Sequence, residues 1–239
     1  MGPWTPAVTG LCAHLDDAGR ERHRAESERL HDRIRWETPD GFDLDTAMRE
    51  TVVTLAALLA AGFAERDDPF AQVRSVIVHP GAFRVSERRS SRSGGIVRAG
   101  GRSLAGQSGH GRGPLVISWS QVRADLRRPS AGRNVVLHEF AHKIDQLDGF
   151  ADGLPPIADG SLRRDFDRVM GRSFDRVRRS RQGLLRAYAG SDPAEHFAVA
   201  SEVFFTRPVE MRSRAGGLYR ALSAFYRQDP ASPAGPLAP

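Results

Sequence analysis

The sequence is poor in cysteine and contains no long apolar run. Cys12 is its single cysteine, which excludes an intrachain disulfide and favours a reducing compartment. No stretch reaches the ~18 consecutive apolar residues of a membrane-spanning helix. The segment TVVTLAALLAAGFA is too short and is flanked by charges, which indicates a core helix. The first residues lack a basic segment followed by an apolar stretch, so we expect no secretory signal and a cytoplasmic protein.

Lysine is also nearly absent, because Lys143 is the only one of the 35 basic residues that is not an arginine. The formal net charge is +6, and arginine-rich stretches occur at 85–102 and 172–186. Such stretches can attract an acidic partner or nucleic acid. Neither is interleaved with aromatic residues that would stack on bases, and solvated loops are the simpler interpretation. We therefore expect no nucleic-acid function.

At 239 residues the chain is long enough to bury a substantial core within one domain. Hydrophobic periodicity and turn residues predict a small set of elements. The predicted helices are 42–63, 134–148, 161–186, 193–206 and 215–228, with a short helix or turn at 121–127, and the predicted strands are 75–83 and 115–119. A mobile loop is predicted at 86–112, and a disordered Pro-rich tail at 231–239.

The most informative segment is His138-Glu139-Phe140-Ala141-His142. Residues four apart share one face of a helix, so His138 and His142 can bind one metal ion while Glu139 reaches a water beside it. This is the H-E-x-x-H pattern of zinc hydrolases. Asn134 as N-cap and Gly149 as stop frame the helix. The alternative is a helix that carries two histidines by coincidence, one packed and one solvated.

A catalytic zinc site normally has three protein ligands. The candidates for the third are Glu195 and Glu202, seven residues apart on one face of an apolar helix that Asp192 and Pro193 begin. Buried carboxylates need cations or donors opposite them. Glu195 could instead close a capping box with Asp192, and Glu202 could lie at the rim of the core. Spacing alone leaves the choice between the two glutamates open.

Several motifs together resemble one known family. They are GFDLDTAMRETVVTLAALLAAGF at 41–63, SVIVHPGAF at 75–83, GPLVISWSQV at 113–122, GRNVVLHEFAHKIDQLDG, YAGSDPAEHFAVASEVFF and FYRQDP at 225–230. The chain resembles the Mlc titration factor A family of zinc peptidases, whose catalytic core is similar to that of lethal-factor-type proteases. The connection to Tyr188 looks a few residues shorter than in that family, so 150–186 can be shaped differently.

The resemblance implies an α+β fold of the zincin type, a small mixed sheet with an edge strand beside the active-site helix. It implies a zincin-like domain over 40–230. The polar, helix-compatible residues 1–39 are expected to form a helical extension before this domain. It also implies Glu195 as the third ligand and Tyr188 beside the metal, although Tyr188 could be an ordinary half-buried aromatic. The strand 115–119 would bind the substrate backbone as an edge strand, the alternative being a core strand.

The expected cofactor is one zinc ion per chain, with Glu139 as the general base that activates water. Asp145 and Glu202 are candidates to orient the ligands, although Asp145 could be a surface acid. His196 points away around its helix and is expected not to bind metal. The expected function is a zinc-dependent peptidase with an aminopeptidase-like preference and a peptide or protein substrate. The alternative is a regulator that sequesters a transcriptional repressor.

Overall fold

The structure is a computed structural model that describes residues 5–64, 67–81, 113–180 and 183–232. Within these ranges it contains three β-strands, nine α-helices and two short 3-10 turns. The strands are β1 (Arg35–Glu37), β2 (Ser75–His79) and β3 (Leu115–Ser118). The helices are α1 (Thr5–Leu11), α2 (Asp17–Arg33), α3 (Thr46–Ala60), α4 (Trp119–Leu126), α5 (Val135–Asp145), α6 (Gly160–Ser180), α7 (Pro193–Thr206), α8 (Pro208–Arg214) and α9 (Gly216–Tyr226). The 3-10 turns are Gln146–Asp148 and Ala187–Gly190.

The three strands form one sheet in the order β1-β2-β3. Both pairings are parallel, with Trp36 opposite Val76 and Ile77 opposite Val116. The described strands are therefore all parallel, whereas the resemblance implied a mixed sheet. The link from β1 to β2 passes through α3, and such a crossover returns the chain in the same direction. The predicted mobile loop at 86–112 lies outside the described residues. The helix-rich α+β class agrees with the sequence-based expectation.

The first 39 residues contribute to the sheet as well as to the helical layer. Asp16 caps α2 by accepting a hydrogen bond from Gly19 N at 2.7 Å, and α2 packs against α3. β1 follows α2 directly and pairs with β2. The segment predicted as a helical extension therefore supplies one of the three described strands.

Helix α3 is the centre of the N-terminal half of the core. It begins after the N-cap Asp45 and lies inside the predicted range 42–63. Its apolar residues cover most of its surface, because α1, α2 and α5 pack around it. None of the helices in the described ranges has the length and apolar content that a membrane crossing requires.

The C-terminal half of the core is an aromatic cluster between α6, α7 and α9. Phe197 and Phe204 from α7 contact Tyr226, while Phe166 contacts Phe225. Helix α6 ends at Ser180, earlier than the predicted 186, and α8 was not predicted. Residues 233–239 of the predicted tail lie outside the described residues. The cluster fixes α7, the helix that carries both candidate glutamates.

Candidate metal centre

The two histidines lie on α5, whose first turn is held by side chains. Asn134 accepts a hydrogen bond from the third backbone N–H beyond it at 3.1 Å, which confirms the predicted N-cap. Asp125 of α4 accepts another from the first residue of α5 at 2.8 Å. From this start α5 presents His138 and His142 one turn apart, with ring centroids separated by 4.8 Å.

The third group comes from the first turn of α7. Asp192 caps this helix by accepting from Glu195 N at 2.9 Å, and Pro193 occupies its first turn, as predicted. The side chain of Glu195 extends toward α5, where its Oε2 lies 3.1 Å from His138 Nε2. The cap therefore uses the backbone of Glu195 and leaves its carboxylate available to the histidines.

His138, His142 and Glu195 are the only group of at least three His, Cys, Asp or Glu residues in the described part of the chain that could hold a metal ion. The two Nε2 atoms are 3.2 Å apart, and Glu195 Oε2 is 3.5 Å from His142 Nε2. A tetrahedral zinc ion with ligands at about 2.0–2.1 Å separates its ligand atoms by about 3.3 Å. The observed spacing fits such an ion.

The chemistry of the donors also fits a cation. Glu195 Oε2 is buried and makes no hydrogen bond among the described residues, although two imidazoles lie near it. The Nε2 atoms of His138 and His142 face each other. If both atoms carry a lone pair, a proton or a cation must lie between them. A divalent cation at the centre would satisfy all three atoms.

The electrostatics of the cluster favour positive charge at its centre. Burial alone would lower the pKa of His138, but the carboxylates of Glu202 and Glu195 raise it well above its ordinary value. Burial would likewise raise the pKa of Glu195, but the two imidazoles hold it well below its usual range. Without a metal ion, these carboxylates favour a protonated, positively charged His138.

Glu202 lies on the opposite side of the His138 ring from Glu195. Its Oε1 is 2.7 Å from His138 Nδ1 and accepts from Arg186 Nη2 at 2.5 Å. Its Oε2 accepts from Asn134 N at 2.8 Å. The carboxylate is therefore placed to hold the imidazole with Nε2 toward the cluster. The structure brings Glu195, rather than Glu202, to the Nε2 atoms of the two histidines.

Glu139 and Lys143 are both buried on α5. Burial raises the pKa of Glu139, against the opposing effect of the two histidines. Lys143 donates to Gly113 O at 3.0 Å, just before β3. Burial lowers the pKa of Lys143, and the charge of Glu139 opposes this shift only in part.

Tyr188 lies in the 3-10 turn Ala187–Gly190 before α7 and is half-buried. Its ring centroid is 6.4 Å from that of His138, and the Arg186 guanidinium lies 5.8 Å from the centre of the tyrosine ring. Burial and the Glu195 carboxylate raise the pKa of Tyr188 well above its ordinary value. Arg186 thus contacts both Tyr188 and Glu202. It was missed because it lies in an arginine-rich stretch interpreted as solvated.

Asp145 and His196 are both turned to other partners. Asp145 is fully buried and accepts a hydrogen bond from Gly153 N at 3.0 Å, and burial raises its pKa to about 7. Asp145 therefore contacts the loop after α5 and is not the surface acid considered as an alternative. His196 Nδ1 lies 3.1 Å from Ala189 O, and His196 is outside the cluster of three.

Comparison with known proteins matches the chain to a metallopeptidase family. The family model described as glucose-regulated metallo-peptidase M90 matches residues 4–227. Mlc titration factor A of Yersinia enterocolitica is 31% identical over 240 residues, covering 96% of this chain and 86% of the relative. Mlc titration factor A of Yersinia pestis is equally similar, with 31% identity over the same share of both chains. An uncharacterized protein of Synechocystis sp. is 27% identical over 225 residues, covering 91% of this chain and 80% of the relative.

Proposed function

Because the chain belongs to the family of glucose-regulated metallo-peptidases M90, we propose that it hydrolyses peptide bonds with one zinc ion bound by His138, His142 and Glu195. The observation that carries this proposal is the separation of the three ligand atoms, from 3.1 to 3.5 Å, around a buried oxygen without a hydrogen bond among the described residues. The zincin fold type is part of the same proposal, supported by the α+β architecture and by the helix that carries both histidines.

A zinc ion held by His138, His142 and Glu195 would lower the pKa of a water molecule to about 7 and would polarise the substrate carbonyl. Glu139 would take the proton of the attacking water and deliver it to the leaving amine. Its burial supports this role, because a carboxylate of raised pKa both accepts and releases a proton more readily near neutral pH. Glu139 and the two histidine ligands come from one helix, α5, which keeps their spacing fixed.

Two further side chains have supporting roles in this proposal. Glu202 fixes the orientation of the His138 ring, supported by the 2.7 Å contact with Nδ1. Tyr188 donates a hydrogen bond to the oxyanion of the tetrahedral intermediate, supported by its position beside His138 and by its interaction with Glu195. Tyr188→Phe should then lower kcat more than it changes KM.

The substrate would bind along β3. Within the described residues this strand lies at an edge of the sheet, and α5 packs against it. A peptide that adds to a strand edge gains main-chain hydrogen bonds and lies beside the helix that carries Glu139. Cleavage near a free amino terminus is the preference we propose, as in aminopeptidases.

The test compares wild type with Glu139→Gln on a peptide library whose amino termini are either free or acetylated. The variant should keep one zinc ion per chain but lose about 10²–10⁴-fold in rate. The wild type should prefer the free termini. Equal hydrolysis by both proteins, or none by the zinc-loaded wild type, would contradict the peptidase proposal.

A second candidate function is suggested by the name that the Yersinia relatives carry, Mlc titration factor A. By analogy, this chain would bind a transcriptional repressor and have little peptidase activity. Calorimetric titration with a purified repressor of that kind distinguishes the two functions. The regulator is favoured if the wild type binds the repressor tightly and cleaves no peptide in the library. Glu139→Gln should then bind the repressor as tightly as the wild type.

A further inference from the structure

The loop that follows α5 is fastened to α5 at its base. After the 3-10 turn Gln146–Asp148 the chain turns at Gly149, whose φ is +94°, and runs on to α6. Gly153 N donates to Asp145 Oδ2 at 3.0 Å, and Asp145 is fully buried. This hydrogen bond holds the loop against the helix that carries His142, three residues before Asp145.

The same glycine touches the first turn of α7. Gly153 has φ of +76°, a conformation that side chains rarely adopt. A Cβ at this position would overlap the carbonyl group of Pro193 and would lie 3.1 Å from Ala194 N. The loop backbone therefore packs directly on the backbone of the two residues that precede Glu195.

We propose that Asp145, Gly153 and Pro193 form a clamp that sets the position of Glu195 relative to His138 and His142. The inference rests on the metal site proposed above. One end of the clamp is the buried carboxylate on α5, and the other is the start of α7. Because the contact is backbone against backbone, it leaves no flexible side chain to absorb a shift. Asp145 is thus a positioning residue that acts through the loop.

The chain offers a matched control for this clamp. Gly149 also has a positive φ, but a Cβ there would meet nothing within 4 Å. An alanine at either site suffers the backbone strain of that conformation, and only Gly153→Ala also pushes against α7. The difference between Gly153→Ala and Gly149→Ala therefore isolates the contact with α7 from the strain.

The experiment measures zinc affinity by competition with a chromogenic chelator. Gly153→Ala should bind zinc about 10–100-fold more weakly than wild type, the range for residues that position metal ligands. Gly149→Ala should stay within about threefold of wild type, since only the contact with α7 transmits to Glu195. Equal affinities in wild type and Gly153→Ala would overturn the clamp, and so would equal losses in both glycine variants.

Two variants of Asp145 keep the test decisive if Gly153→Ala does not fold. Asp145→Asn keeps an acceptor for Gly153 N and removes the charge, whereas Asp145→Ala removes both. The clamp predicts that Asp145→Asn retains most of the zinc affinity that Asp145→Ala loses. Equal zinc affinities in these two variants would show that the hydrogen bond from Gly153 N does not affect zinc binding, and would overturn the clamp. A wild type that binds no zinc would overturn the metal site itself, a result distinct from all of these.

Discussion

Helices α6 and α7 are neighbours in the chain but differ in nearly every physical respect. α6 is the longer and the richer in arginine, yet the residues that it buries are Phe166 and Met170. α7 is buried along almost its whole length, and its two glutamates, Glu195 and Glu202, are both buried. Each carboxylate of α7 has a specific cationic or imidazole neighbour, whereas those of α6 lie at the surface. The two helices therefore differ in whether their charges are buried as well as in how many charges they carry.

One residue of the arginine-rich stretch at 172–186 supports the same distinction. Arg186 lies beyond α6, and its side chain is 25% exposed while the Glu202 that it contacts is 2% exposed. A buried carboxylate is stable only with such a partner. Within this stretch, Arg186 therefore differs from a solvated arginine because it pairs with a buried carboxylate.

The largest expected effect comes from removing a buried charge of α7. Glu202→Ala leaves Arg186 and His138 Nδ1 without their acceptor, so we expect a loss of about 3–5 kcal/mol in the free energy of unfolding. Zinc affinity should fall about 10–100-fold. Urea unfolding and chelator competition measure the two effects. A variant as stable as wild type would remove the contrast between α6 and α7.

A buried carboxylate in another region tests whether burial without full pairing is unfavourable. Glu26 of α2 is 4% exposed, its Oε1 has no hydrogen-bond partner among the described residues, and its Oε2 accepts from Arg29 at 2.5 Å. Burial raises the pKa of Glu26 from 4.5 to about 7. A raised folded-state pKa gives stability that is present below pH 4.5 and lost as the pH rises through 7.

Glu26→Gln should therefore be more stable than wild type at pH 8, and its advantage should vanish near pH 4.5. We expect about 1 kcal/mol at pH 8, less than the pKa change alone would give, because local relaxation and water penetration reduce the cost of burying a charge. Urea unfolding at the two pH values measures the difference. A variant less stable than wild type at pH 8 would show that the pair with Arg29 outweighs the cost of burial.

The smallest effect is expected on α6. Asp165 pairs with Arg168 at 2.9 Å, with side chains 71% and 50% exposed. Asp165→Ala should change the free energy of unfolding by less than about 0.5 kcal/mol and leave zinc affinity unchanged, because exposed pairs contribute little. The same urea and chelator measurements apply. A loss as large as that of Glu202→Ala would show that surface charge matters as much as buried charge.

Local signals predicted the helices of the site well. The caps Asn134 and Asp192 were identified from the sequence because a cap depends on a few neighbouring residues, and the structure confirms both. The end at Gly149 follows from its positive φ in the same way. The position of the two histidines on one face needs only helix geometry.

Long-range contacts could not be read from spacing. Glu195 and Glu202 share a face of α7, about 10 Å apart along the axis, so either could have met the histidines. The structure separates them by placing His138 between the two, with Nε2 toward one and Nδ1 toward the other. β1 was missed for a related reason: it has only three residues, and it is defined as a strand by its pairing with β2.

The most direct test is zinc K-edge X-ray absorption spectroscopy of the zinc-loaded protein. The proposed site predicts two imidazole nitrogens and two oxygens at about 2.0–2.1 Å, one oxygen from Glu195 and one from water. Glu202→Ala should keep this set at saturating zinc, whereas Glu195→Ala should lose the carboxylate. A spectrum without imidazole scattering, or a Glu195→Ala spectrum identical to that of wild type, would contradict a centre built from His138, His142 and Glu195.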